Sequence, residues 1–119
     1  MTYQEFVQEI QNRLNERQEQ NGNLYSVRTD TVRKIQSSYY GLVVSITSSR
    51  IPELGINLKK FFRDFITHRF SIEDVVNEVD QQIHFEIEHA SKYDLLNPTN
   101  YEYVKNHLGL QIVNMEKNQ

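Results

Sequence analysis

The segment from Ser71 to Ala90 constrains the fold of this chain more than any other stretch. Its apolar residues recur at steps of three and four, which places them on one stripe of an α-helix. They are Ile72, Val75, Val76, Val79, Ile83, Ile87 and Ala90. Ser71 and Asp74 are spaced to cap the start of this helix, and Phe70 and Val75 occupy the positions of a hydrophobic staple. Because so long a stripe cannot stay in water, we expect other elements to cover it.

The length and composition favour one globular domain and exclude several classes of protein. The chain has 119 residues, enough for a single hydrophobic core. It contains no cysteine, which excludes a disulfide framework, cysteine-bound zinc and thiol catalysis. No apolar run reaches the ~18 residues of a membrane span, and the first residues lack the pattern of a signal peptide. We therefore expect a cytoplasmic protein that does not bind membranes.

The first half of the chain predicts a helix followed by a β-hairpin. Residues 1–20 carry an apolar stripe, and Thr2 and Glu5 form a capping box at its start. Residues 15–23 are polar, so we expect the end of this helix to fray. Residues 24–47 predict two antiparallel strands, in which Tyr40, Leu42, Val44 and Ile46 face the core. Their connection lacks an Asn-Gly signal, which indicates a loop of more than two residues.

The second half predicts helices and one more strand. Residues 48–55 indicate a loop, since Pro52 disfavours a helix at Ile51. Residues 57–90 predict two central helices; the first buries Leu58, Phe61, Phe62, Phe65 and Ile66. Residues 98–113 predict a short helix and a strand, which pairs with the edge of the hairpin or with another chain. The expected fold is α+β: an antiparallel hairpin, with a third short strand, covered by three to four helices.

Several short segments match the pattern of a known family. They are Arg33-Lys34, Gly41-Leu42-Val43-Val44, Ile51-Pro52, Ile56-Asn57-Leu58, Phe61-Phe62, Phe70-Ser71-Ile72-Glu73-Asp74-Val75, Val113-Asn114 and Glu116-Lys117-Asn118. In this order they resemble a bacterial family described only as a domain of unknown function, DUF5688. Gln36-Ser37-Ser38-Tyr39 and Glu53-Leu54-Gly55 depart from its turn and proline segments. The resemblance implies the fold and no activity. It also implies either the front part of a longer protein or a short relative of the family.

The histidines and acidic residues give no strong indication of a catalytic or metal site. Glu86 and His89 have the Glu-x-x-His spacing of di-iron bundles, but such a site needs a second copy and further glutamates. Both fall off the apolar stripe, so we expect them on a solvated face, as for His84 and Glu88. His68 and His107 lie near predicted helix ends, where an imidazole interacts favourably with the helix dipole. We expect no cofactor and no bound metal, and an enzyme ranks third among the functions considered.

Positive charge is concentrated in the middle of the chain. Residues 28–69 contain eight basic and three acidic residues, whereas residues 70–119 contain three basic and nine acidic ones. The candidate anion-binding residues are Arg28, Arg33, Lys34, Lys59, Lys60 and Arg63. They suggest weak nucleic-acid binding, with Tyr39 and Tyr40 as stacking partners. The alternative is a solvated face that packs beside the acidic long helix, and we favour it.

Protein binding is the leading functional hypothesis. An unpaired strand edge can recruit another chain. The predicted end strand is the best candidate, and its interface residues would be Leu110, Ile112 and Val113. We therefore expect a non-catalytic interaction domain that self-associates or binds a protein partner, with nucleic-acid binding by residues 28–69 as the alternative.

Overall fold

Three helices and four strands make up the described part of the chain. The structure is a computed structural model. It describes residues 1–33, 37–47, 53–90 and 110–112, giving the backbone alone at 89–90 and 110–112. The elements in chain order are α1 (Tyr3–Asn21), β1 (Tyr25–Arg33), β2 (Ser38–Ile46), β3 (Leu54–Ile56), α2 (Lys59–Ile66), α3 (Ile72–Ala90) and β4 (Leu110–Ile112). The predicted α+β class is confirmed. The predicted helix within residues 98–113 lies outside the described residues.

The strands form one antiparallel sheet in the order β1-β2-β3-β4. Val27 lies opposite Val44 in the hairpin, and residues 34–37 separate its two strands, so the predicted long connection is confirmed. The prediction of a loop through residue 55 was wrong, because β3 begins at Leu54. Three residues with a central glycine are too short to show an alternating pattern. β3 pairs with β2 on one side and with β4 on the other.

The helices cover one face of the sheet, where the main core lies. The predicted core residues of β2 are confirmed, since Leu42, Val44 and Ile46 are buried there and Tyr40 packs against them. α1 and α3 contribute fully buried residues from their apolar stripes, and β1 and β3 contribute alternate residues. These are Phe6, Val7, Ile10, Leu14, Tyr25, Val27, Leu54, Ile56, Val75, Val76, Val79 and Ile83. The core is therefore a sandwich of one helical layer on one sheet face.

The ends of α1 and α3 follow the predicted capping signals. The Thr2 hydroxyl accepts a hydrogen bond from the Glu5 amide at 3.1 Å, and the Glu5 carboxylate accepts one from the Thr2 amide at 2.8 Å. Ser71 and Asp74 make the same reciprocal pair at 3.1 and 3.0 Å. Satisfying these free amides fixes where each helix begins.

α2 joins the helical layer through aromatic contacts. The rings of Phe62 and Phe65 lie 5.2 and 5.3 Å from the ring of Phe6 on α1. On α2, Phe61, Phe62 and Phe65 are half-buried. Leu58, just before the helix, is fully buried, as the pattern indicated. Ile66 is 53% exposed, so its predicted burial was wrong. It is the last residue of a short helix and lies beyond the surface that α2 presents to the core.

The second face of the sheet carries a smaller apolar cluster of Val32, Tyr39 and Val43. Tyr39 packs across two glycines, one on its own strand and one on β3. A Cβ atom at Gly41 would lie 3.1 Å from the Tyr39 ring, and one at Gly55 would lie 2.7 Å from the Tyr39 hydroxyl. Glycine at these two positions lets a large ring lie flat on the sheet.

Candidate interaction edge

The outer edge of β1 has two halves that differ in their hydrogen bonding. β1 is the first strand of the sheet, so alternate residues direct their backbone N–H and C=O groups away from β2. Both backbone groups of Val27 bond to the Asn15 side chain of α1, so they point away from β2. The outward residues are therefore the odd-numbered ones. The outward residues are Tyr25, Val27, Thr29, Thr31 and Arg33.

Side chains from α1 close the first half of this edge. The Asn15 amide donates to the Val27 carbonyl at 2.8 Å, and its oxygen accepts from the Val27 N–H at 2.9 Å. The Gln18 side-chain oxygen accepts from the N–H groups of Leu24 and Tyr25 at 2.8 and 3.3 Å. The two side chains thus take the place of a neighbouring strand.

These contacts also explain why the expected fraying of residues 15–23 was wrong. α1 continues to Asn21, where Gly22 adopts a left-handed conformation with φ of 103° and ends the helix. Gln18 is only 4% exposed. Two polar residues of this half of α1, Asn15 and Gln18, are held by hydrogen bonds to the backbone at the start of β1.

The second half of the edge, from Thr29 to Arg33, has no partner strand among the described residues, and we call it the open half. The Thr31 N–H is taken by the neighbouring Asp30 carboxylate at 2.8 Å. The Thr29 hydroxyl accepts a hydrogen bond from Gln8 of α1 at 3.1 Å. Within the ranges that the structure describes, no strand pairs with the outer backbone groups of Thr29, Thr31 and Arg33. Such a row of backbone donors and acceptors can accept another strand.

A polar cluster joins the closed half of β1 to α3. The Tyr25 hydroxyl donates to the Asp80 carboxylate at 2.6 Å, and His84 Nε2 lies 3.4 Å from the same carboxylate oxygen. The Tyr25 and His84 rings meet edge to face, with centroids 6.1 Å apart. Burial raises the pKa of Tyr25, and the hydrogen bond to Asp80 raises it further. The phenol therefore stays protonated at neutral pH and donates its hydrogen bond to Asp80.

Arg17 extends this cluster along α3. Its guanidinium contacts the Glu73 carboxylate, donates to the Asn77 side chain at 2.7 Å and lies 4.0 Å from Asp80. The Asp80 side chain is only 21% exposed. The arrangement is that of a polar seam that holds α3 against α1 and β1.

The comparison with protein families gives one match. It is to DUF5688, a family of unknown function, and it spans residues 3–119. The chain belongs to this family. No curated protein and no solved structure matches it.

The basic residues predicted to bind anions are divided between elements in this DUF5688 chain. Arg28 lies on the sheet face opposite the helices, where it contacts Glu53 and lies 3.8 Å from Asp30. Its hydrogen bond to Glu53 raises the pKa of Arg28. Ser45 donates to the same Glu53 carboxylate at 2.8 Å. The charge of Arg28 is thus largely compensated within the sheet.

The other cations of the predicted set lie elsewhere. Arg33 is exposed at the end of β1, and Lys59, Lys60 and Arg63 are exposed on α2, which belongs to the helical layer. Lys34 lies outside the described residues. A common anion-binding surface of these residues stays a prediction.

The predicted end strand exists as β4 and pairs with β3 of the same chain. Leu110 lies opposite Ile56, and Ile112 lies opposite Leu54. Val113 lies outside the described residues. Pairing within the chain occupies one side of β4, so binding of another chain at Leu110 and Ile112 stays a prediction for its outer side.

The expected solvated position of Glu86 was wrong, since its side chain is 1% exposed. Glu86 follows Val79 by seven residues and Ile83 by three, so it continues the apolar stripe of α3. His84 is half exposed beside Asp80.

Among the described residues, no three histidine or acidic side chains are grouped to hold a metal ion. No described helix of this DUF5688 chain is long and apolar enough to cross a membrane.

The sequence analysis did not predict the role of Asn15 and Gln18, whose side chains close the first half of the β1 edge. Gln18 carried a signal, because it extends the spacing of Ile10 and Leu14 by one further turn. A polar residue at such a position is buried only if it finds hydrogen-bond partners. Asn15 carried no such signal, since its partner Val27 is twelve residues away and is brought close by the fold.

Proposed function

We propose that this chain is a non-catalytic protein-interaction domain that binds an extended segment of protein along the open half of β1. The observation that carries the proposal is the hydrogen bonding of this edge. Asn15 and Gln18 close it up to Val27, whereas no described strand pairs with it from Thr29 to Arg33, where the Thr31 N–H donates to the adjacent Asp30 carboxylate. Strand addition obtains its affinity from main-chain hydrogen bonds, and those require such an open row.

The properties of the open stretch support this proposal. It contains no proline, and its regular pairing with β2 leaves no bulge between Thr29 and Arg33. Bulges and prolines are two of the devices that protect an edge strand; charged side chains are another, and the stretch carries Asp30 and Arg33. At the other side of the sheet, β4 comprises three residues, and a very short edge strand is itself a protective feature. β1 therefore offers the longer docking edge.

The nucleic-acid alternative has weaker support. Arg28 is engaged by Glu53 and Asp30, on the opposite side of the sheet from the cations of α2. This alternative predicts binding that weakens steeply as salt rises. A binding assay with single-stranded and duplex oligonucleotides at low and moderate salt tests it.

Photo-crosslinking in the native host tests the protein-binding function. A photoreactive amino acid is placed at Thr31 in the open half and, as a matched control, at Ser26, which is exposed on the closed half. We expect cross-linked products from position 31 and few from position 26. The linked segments are identified by mass spectrometry and synthesised as peptides for binding to the purified chain.

The same products should disappear when Thr29→Pro removes one outward N–H group from the edge. Equal labelling from both positions, or labelling that Thr29→Pro leaves unchanged, would contradict the proposal. Circular dichroism of each variant verifies that the fold is retained.

A further inference from the structure

We propose that the segment bound at the β1 edge is the β1 strand of a second copy of this chain, paired antiparallel about a two-fold axis at Thr31. This inference rests on the proposed function, because it names the partner for the same edge. It would join two four-stranded sheets into one continuous sheet.

The limits of the open stretch define the register in which two copies would pair. It begins at Thr29, because Asn15 occupies both backbone groups of Val27. It ends at Arg33, where β1 ends. Thr31 is the midpoint. A two-fold axis there pairs Thr31 with Thr31 of the second copy and Thr29 with Arg33. In this pairing the Thr31 N–H exchanges its local hydrogen bond to the Asp30 carboxylate for one to the Thr31 carbonyl of the second copy.

Neighbouring registers are less favourable. An axis at Asp30 would place two carboxylates directly opposite each other and would pair Arg33 with Val27, whose backbone groups are already taken. An axis at Val32 would pair Thr31 with Arg33 and leave Thr29 opposite a residue beyond the end of the strand. Only the register centred on Thr31 uses the whole open stretch.

The side chains and the position of α1 are compatible with this register. Asp30 and Arg33 balance each other, so the open stretch carries no net charge. Threonines directly opposite each other on neighbouring strands form favourable cross-strand pairs. Each Asn15 contact lies at Val27, four residues from the axis. The two Asn15 contacts are therefore roughly 26 Å apart along the joined strands, so neither lies at the axis.

Cysteine trapping tests the register directly, because the natural chain contains no thiol. Opposed residues of a hydrogen-bonded antiparallel pair have Cα atoms about 5.5 Å apart, within the range that a disulfide spans. Under mild oxidation, Thr31→Cys should form a covalent dimer with itself. An equimolar mixture of Thr29→Cys and Arg33→Cys should form mixed dimers in preference to either homodimer.

Two controls separate this register from others. Asp30→Cys should cross-link with itself slowly, because residue 30 lies diagonal to its copy; rapid cross-linking would instead indicate the axis at Asp30. Ser26→Cys lies on the closed half and should stay monomeric. Cross-linking that is equal at positions 26 and 31 would overturn the proposal.

Sedimentation equilibrium of the full chain measures the association itself. The paired edge is short, so we expect a weak dimer whose population rises with protein concentration. Thr31→Asp places two like charges on the axis and should weaken dimerisation by about tenfold or more. Ser26→Asp adds the same charge to the closed half and should leave the dissociation constant nearly unchanged.

The outcomes distinguish this inference from the proposed function. A chain that stays monomeric up to high concentration, while position 31 still cross-links to a different protein in the host, overturns the second-copy proposal and supports the proposed function. A monomer with no specific cross-linking from position 31 overturns both.

Discussion

At the scale of single residues, this chain uses polar side chains to complete backbone hydrogen bonding. Asn15 contacts both backbone groups of Val27, and Gln18 accepts from the N–H groups of Leu24 and Tyr25, where β1 begins. Backbone groups at a strand edge can also be satisfied by water. The side chains therefore stabilise the edge modestly, but they determine which part of it another chain can reach.

Asn15→Ala should lower the free energy of unfolding by about 1–2 kcal/mol, because two hydrogen bonds to Val27 are lost. Urea denaturation measures the change. Asn12→Ala, at an exposed position of the same helix, is the control, since it gains the same helix propensity without losing a contact to β1. Equal stability of the two variants would show that Asn15 does not hold the edge.

Tyr25 should make stability decrease at alkaline pH. Its pKa in the folded chain is raised above the unfolded value of about 10 by burial and by Asp80. Its contribution is fully present below pH 10 and is lost as the pH rises, because the unfolded chain then loses a proton that the folded chain retains.

We expect Tyr25→Phe to destabilise the chain by about 1–2 kcal/mol at neutral pH, through loss of the hydrogen bond to Asp80. The difference from the natural chain should shrink above pH 10. Urea denaturation at pH 7, 9 and 10.5 measures both effects. A difference that is constant over this range would contradict the assignment.

At the scale of elements, the sheet depends on two glycines beneath Tyr39. Gly41 is the tighter position, because a Cβ there would lie 2.3 Å from the backbone oxygen of Ile56. At Gly55 the nearest atom would be the Tyr39 hydroxyl, at the end of a side chain. Side chains can move aside more readily than a paired strand.

Gly55→Ala should therefore destabilise the chain by about 1–3 kcal/mol, and Gly41→Ala should destabilise it more. Thermal unfolding followed by circular dichroism gives the order of the two variants. The reverse order would mean that Tyr39 is held more rigidly than the pairing of β2 with β3.

At the scale of the whole molecule, α3 connects the helical layer to the sheet. Its apolar stripe enters the main core, and its polar side meets Arg17 of α1 and Tyr25 of β1. α3 therefore contacts both the sheet and the rest of the helical layer. A change in its buried stripe should affect unfolding of the whole domain rather than of a single element.

Val79→Ala should lower the free energy of unfolding by roughly 1.5–2.5 kcal/mol, because two methyl groups leave a fully buried site. The denaturation midpoint should shift equally when followed by far-ultraviolet circular dichroism and by tyrosine fluorescence. Glu78→Ala, at the exposed neighbouring position, should have little effect. Separate transitions for the two probes would indicate that the layers unfold independently.

The sequence determined the features that depend on neighbouring residues. The bounds of α1 and α3, their capping pairs and the core-facing residues of β2 follow from periodicity and short-range hydrogen bonds. These interactions act within a few residues along the chain, so a linear pattern contains them. The burial of the apolar stripe of α3 follows from the same periodicity.

Only the tertiary structure decided the features that depend on distant residues. It made Leu54–Ile56 a strand by placing it beside β2, and it placed Asn15 against Val27 and Tyr25 against Asp80. The open half of β1 is likewise a property of the assembled sheet, since it begins where the hydrogen bonds of Asn15 and Gln18 to the strand backbone end. Pairings of this kind depend on separations in space that no local spacing of residues encodes.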